Sequence, residues 1–341
     1  MVPALMVWAV ASAVASTEVT PWGGAPVRGT VERVDPCGVS IKLDGGSATV
    51  ALAWPEIRSI SPVDPAWQPW IDAGDAVRRG EQRLARGDAA LAADAFAQAT
   101  ALLEGAKGPC LGPIWSSWAQ ALEASGRGSA AVLARLQALD RSASEAPEAW
   151  PADLCPAFVG PDEARAAWSG LSAAVLREPR AAAWCALLRE VTARQAGAEP
   201  APQPKQPRGA SKDETTRRER LVMESWIVAL GDAAGARQRA REALVDLMIR
   251  TEGPVRHWCR VALGQSLLLE ARASKAGSPE ARRFALDAAE QFLTVVACDD
   301  AAIPMLSATC AALGAQALDA AGDARGATTV RTSLIQEGTT P

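Results

Sequence analysis

The sequence has no tyrosine, four phenylalanines and a single histidine, His257, in 341 residues. With one imidazole available, any Ser/His/Asp or Cys/His mechanism has to pass through that side chain. Cys259 stands two positions further along a helical stretch, a spacing that turns the two side chains to different faces. His257 therefore reads as a capping or packing residue. The seven cysteines, Cys37, Cys110, Cys155, Cys185, Cys259, Cys298 and Cys310, contain no CxxC or CxxCH spacing, which argues against zinc and c-type haem. There is no GxxxxGK followed by Ser or Thr and no GxGxxG, so Gly23-Gly24 and Gly45-Gly46 read as turn glycines rather than phosphate cradles. No cofactor is expected. A basic stripe is missing as well: 35 basic and 39 acidic residues are interspersed, for a net charge of −4, which argues against nucleic acid as a partner. No apolar run reaches the roughly 20 residues that a transmembrane helix needs.

Hydrophobic residues make up 49% and charged residues 22%, so the chain has the apolar surface needed to fold. Alanine fills most helical windows, and there are 12 tryptophans. The length suits two domains or an extended repeat array. Met1–Ala15 is apolar and ends in Ala13-Val14-Ala15 before Ser16, a signal-peptidase pattern, although the first basic residue comes only at Arg28. Residues 1–15 are thus expected to be a signal peptide, with the mature chain exported to the periplasm or cell envelope. A mis-assigned start codon is the cytoplasmic alternative. In an oxidising compartment Cys298 and Cys310 are the expected disulfide, since a helix–turn–helix between them would bring them together. Cys185 and Cys259, in apolar helical surroundings, read as buried small hydrophobes. The carboxylate pairs Asp213-Glu214 and Asp299-Asp300 fall at helix starts, where the helix dipole accounts for them.

From Pro26 to Pro62 the pattern is that of strands: Val27–Val34, Val39–Leu43, Ala48–Leu52 and Ile57–Ile60 alternate, with turn chemistry at Asp35-Pro36-Cys37-Gly38 and Asp44-Gly45-Gly46. The spacing predicts an antiparallel β module over residues 22–62, a meander of three or four strands. On this pattern it resembles the small barrels of Sm-like or Src-homology type. So small a module is expected to pack on the helices behind it through Trp54, Trp67 and Trp70.

After Pro65 the period becomes helical, and one turn signature recurs: Gly87-Asp88 with Ala92, Gly126-Arg127 with Ala131, Gly231-Asp232 with Ala236, and Gly322-Asp323 with Ala327. The Gly ends one helix, the Asp caps the next, and the Ala lets the two approach. Gly80, Ala92 and Phe96 follow the tetratricopeptide pattern. Trp115, Trp118, Ala119, Leu122 and Ala131 follow it partly, as do Ala315 with Ala327 and Ala288 with Phe292, so the chain resembles that repeat family. It departs from it at the aromatic position before the turn, which holds Arg83, Leu122 or Leu318, and at the phenylalanine position, which holds Arg135, Ala240 or Arg331; the closing proline is absent. The resemblance implies a mainly α fold: an α-solenoid of about six stacked helical hairpins behind a small antiparallel β module. The hairpins would occupy residues 63–195 and 212–337, separated by a Pro-rich linker at 196–211.

The resemblance further implies a non-catalytic scaffold that binds a polypeptide partner on a concave face lined by the first helix of each hairpin. On that reading Arg78, Arg79 and Arg83, together with Trp115, Trp226 and the polar residues beside them, are the candidate contacts. The competing classes are an envelope enzyme using carboxylates between the β module and the first helices, and a self-associating structural component.

Overall fold

The computed structural model describes residues 16–142, 157–198, 214–297 and 304–338. The expected signal peptide, most of the Pro-rich segment and Cys298 lie outside the described residues. The described chain is mainly helical, with one five-stranded antiparallel sheet at its N-terminal end. Two compact units divide at Ile114/Trp115.

The first unit opens with strands β1 (Thr17–Pro21), β2 (Val27–Asp35), β3 (Gly38–Leu43), β4 (Thr49–Ala53) and β5 (Ile57–Ser61), in the order β4-β3-β2-β1-β5. Four of these match the alternating segments of the sequence. The fifth, β1, precedes the expected start of the module, and it is not peripheral: it pairs with both β2 and β5. Its five residues hold one large apolar side chain, Val19, so alternation is weak there, and the strand is specified by its two neighbours. One face of the sheet buries Val19, Val39, Ile41, Ile57 and Ile60.

Trp54 completes that core. It starts a 3-10 turn, Trp54–Glu56, between β4 and β5, and its indole N–H donates to the Asp35 carbonyl at 2.8 Å. Helix α1 (Gln68–Ala85) crosses this turn so closely that a Cβ on Gly74 would lie 2.5 Å from the Trp54 Cβ. Trp70 stacks obliquely on Trp54 with ring centroids 6.2 Å apart, and Trp67 and Ile71 pack against the same cluster. The three tryptophans thus join sheet to helix, as the small size of the module suggested. A disulfide between Cys37, in the β2–β3 turn, and Cys110 adds a covalent tie within this unit, with the Cα atoms 5.5 Å apart. The bridge expected from the sequence is Cys298–Cys310, and no local signal points to this pair, whose members are 73 residues apart.

Helix α2 (Ala89–Leu102) packs on α1, and α3 (Leu111–Ala124) begins at the boundary of the units. The second unit continues with α4 (Gly128–Arg141), α5 (Pro161–Ala173), α6 (Pro179–Gln195), α7 (Glu214–Ala229), α8 (Ala234–Arg250), α9 (Gly253–Ala273), α10 (Pro279–Ala297), α11 (Pro304–Ala320) and α12 (Ala324–Gly338). Sequence neighbours pack as antiparallel partners, and α6 on α7 and α8 on α9 link one pair to the next, as in a stack of hairpins. One apolar core runs through the unit, centred on Trp184, Trp226, Trp258 and Phe292.

Glycine ends several of these helices in a left-handed conformation: Gly87, Gly126, Gly197 and Gly322 have φ of 82°, 74°, 62° and 79°. At each, the following N–H reaches back to a carbonyl one full turn inside the helix, as from Asp88 to Arg83, Arg127 to Leu122, Ala198 to Ala193 and Asp323 to Leu318. Gly231 does not take a positive φ. The end of α7 is closed instead by the Arg237 guanidinium, which donates to the carbonyls of Gly231 and Asp232 at 3.0 and 2.8 Å.

Candidate interaction surface

The residues that fill the space between paired helices follow a rule set by side-chain volume. In the α1–α2 hairpin Phe96 lies over Gly80, where a Cβ would come within 2.8 Å of the ring. Phe96 stands nine residues after the turn glycine Gly87, and Gly80 seven before it. In the α3–α4 hairpin the same offsets from Gly126 hold Arg135 and Ala119, and Arg135 forms a two-point ion pair with Glu123, at 3.1 and 3.0 Å. In the α11–α12 hairpin the offsets from Gly322 hold Arg331 and Ala315, and Arg331 pairs with Asp319. Arginine at the aromatic position is therefore compensated by a carboxylate on the facing helix three residues before the turn. At these two positions the departure from the repeat pattern substitutes one cross-helix contact for another.

A further instance of the aromatic contact occurs where the sequence carried only half of it. Phe292 of α10 lies over Gly264 of α9, where a Cβ would come within 2.7 Å of the ring, and Ala288 is fully buried one turn away. Longer helices place Gly264 much further from Phe292 in sequence than Gly80 is from Phe96, so a fixed offset does not find it.

The arginines of α1 are each engaged by neighbours. Arg78 lies over the Trp22 ring at 3.7 Å and pairs with Asp75. Arg79 donates to Asp75 at 2.9 Å and to Gln98 of α2 at 3.0 Å, and Arg83 donates to the Leu91 carbonyl at 3.0 Å. Trp22 remains 47% exposed, and Arg58 also approaches its ring, at 5.8 Å. Trp22, Arg58, Arg78 and, through the shared Asp75, Arg79 form one partly exposed aromatic and cationic patch in the first unit. Trp115 and Trp226 correct the expectation in the other direction. Both are buried, and their indole N–H groups donate to Gln137 and Gln265 at 3.2 and 3.0 Å. They belong to the interior, where a large amphipathic side chain gains most by burial with its one donor satisfied.

His257 is buried in α9. Burial pushes the nearby Cys259 thiol up to about 12, so almost no thiolate forms at neutral pH, and the Cys185 thiol is raised for the same reason. Both cysteines are the buried small hydrophobes that their surroundings indicated. Cys310 is also buried. Among the described residues no group of three or more His, Cys, Asp or Glu side chains is placed to hold a metal ion, and no helix is long and apolar enough to cross a membrane. No family model, no curated protein and no solved structure matches this chain.

Proposed function

We propose that the protein is an exported, non-catalytic scaffold whose helical hairpins hold a polypeptide partner. The observation that carries this reading is the repeated hairpin, in which a left-handed glycine, a buried alanine and a plug on the second helix recur at the same offsets. Repetition of one supersecondary unit builds a long surface rather than a single reactive cleft, as in tetratricopeptide-like stacks. The high thiol pKa of Cys259 and the packed surroundings of His257 support the non-catalytic part.

Export is supported by the Cys37–Cys110 disulfide, because such bonds persist in oxidising compartments and are rare in the cytosol. The exposed Trp22 with Arg58, Arg78 and Arg79 is the candidate contact patch of the first unit, since aromatic and arginine side chains dominate binding hot spots.

Affinity capture from native envelope extract with a C-terminal tag tests the reading. A stoichiometric polypeptide partner that is lost with Trp22→Ala supports it. Turnover of a small molecule by the purified protein, abolished by a single carboxylate change, would refute it.

A further inference from the structure

The sheet of the first unit ends in two edges, β4 on one side and β5 on the other, and they are not alike. An edge strand invites pairing with another chain, and proteins blunt it with charge, proline or an irregular register. β5 carries Arg58, is followed at once by Pro62, and shifts register against β1 between Thr20 and Pro21. β4, Thr49-Val50-Ala51-Leu52-Ala53, has no charge and no proline, and its register against β3 runs unbroken. Hydrogen-bond alternation fixes which of its groups point outward. At the two ends of the β3–β4 ladder the Leu43 N–H donates to the Ala48 carbonyl at 2.9 Å and the Trp54 N–H to the Cys37 carbonyl at 3.3 Å. Bonded pairs alternate along an antiparallel ladder, so Val50 and Leu52 also turn their backbone groups to β3, while Thr49, Ala51 and Ala53 turn theirs away from the sheet. Ala53 is engaged, because its N–H donates to the Glu56 carboxylate at 3.0 Å and it caps the 3-10 turn that follows. The N–H and C=O of Thr49 and Ala51 have no backbone partner among the described residues.

We propose that β4 pairs with β4 of a second copy of this chain, antiparallel across a two-fold axis at Val50, joining the two sheets edge to edge. The open backbone groups select both the occupant and the register. They call for an extended main chain, and setting Thr49 of one copy against Ala51 of the other uses each of them in N–H···O=C bonds while leaving Ala53 with Glu56. The side chains agree with that register. Val39 and Ile41, which face Leu52 and Val50 across the ladder, are buried, so Leu52 and Val50 stand on the core face, yet both are only half-buried at the open edge. In the pair, Val50 meets Val50 at a close, non-hydrogen-bonded position and Leu52 meets Ala48, so each core is continued by apolar side chains of the other. On the outer face Thr49 meets Ala51, and no like charges are opposed. This interface goes beyond the scaffold reading and does not rest on it.

Light scattering of the full folded chain over a concentration series tests the proposal, with the mass expected to rise from one chain toward two. Ala51→Pro removes an outward N–H from each copy at an edge position where proline is tolerated, and the loss of two hydrogen bonds should weaken the pair about tenfold or more. A second measurement reads the register and keeps the test open if Ala51→Pro fails to fold. Val50→Cys places two thiols across the axis within disulfide reach, so oxidised glutathione should link two chains through residue 50, and Thr49→Cys, which faces Ala51, should link far less. A parent that stays at one chain throughout overturns the pair and leaves the scaffold reading standing. Association of a folded Ala51→Pro variant equal to that of the parent overturns the β4 edge as its site. Equal linking at positions 49 and 50 overturns the register.

Discussion

Each buried alanine of the repeat sets how near two helices approach, and Ala327 illustrates the consequence. Fully buried in α12, it has no space for three further carbons, so Ala327→Leu is expected to lower stability by about 1–3 kcal/mol in denaturant titration. An unchanged midpoint would mean that the position is not a contact. Glycines divide by what a Cβ would meet. Gly80→Ala would push into the Phe96 ring, at a cost of about 1–3 kcal/mol that outweighs the roughly 1 kcal/mol of helix propensity it gains. Gly170→Ala meets only Leu133 at 3.7 Å, an ordinary contact, so there the propensity term wins and the protein is expected to be more stable by about 0.5–1 kcal/mol. Thermal melts of the two variants should therefore shift in opposite directions.

Between elements, a three-residue electrostatic contact joins α8 to α9. Glu270 accepts from Arg237 at 3.0 and 3.2 Å and from Arg241 at 2.9 Å. The Arg237 hydrogen bond, aided by Arg241 and opposed by burial, holds the Glu270 carboxyl below its ordinary value. A carboxyl depressed in the folded state stabilises the fold at pH values above its unfolded pKa, and that contribution is lost as pH falls through the folded value. The stability difference between the parent and Glu270→Gln should thus be full at neutral pH and shrink below about pH 4. A difference independent of pH would show that the two arginines act on Glu270 by packing alone.

Over the whole molecule, the Cys37–Cys110 bond closes a loop across most of the first unit. In the chain-entropy account a loop of this length contributes about 4 kcal/mol. Cys37→Ser should lower the melting midpoint of the unmodified protein, and reductant should lower the parent to a similar value. If reductant leaves the parent unchanged, the bond is not formed in solution. Intact mass of native protein addresses the compartment: a chain beginning near Ser16 agrees with export, and a chain retaining Met1 contradicts it.

Periodicity and turn chemistry were enough to place the strands from Val27 onward and the helical hairpins, because both depend on local spacing that any window of the chain displays. Trp54, Trp67 and Trp70 were legible as the joint between sheet and helix because so small a module needs a neighbouring helix to complete its core. Strand β1 was not, since its place between β2 and β5 comes from partners distant in sequence. Spacing alone could not bring Cys37 to Cys110, nor Phe292 to Gly264 across longer helices. The sequence marked Arg135, Ala240 and Arg331 as departures from a pattern, but their consequences depend on the facing helix. Opposite Arg135 and Arg331 stand Glu123 and Asp319, and an ion pair fills the space. Ala240 and Val228 carry neither ring nor charge, and the depression they share stays open to solvent. Composition and order determine which side chains a hairpin carries, whereas only the packing of one helix on another decides whether they meet, because contact depends on volume and direction across a gap that the linear chain does not record.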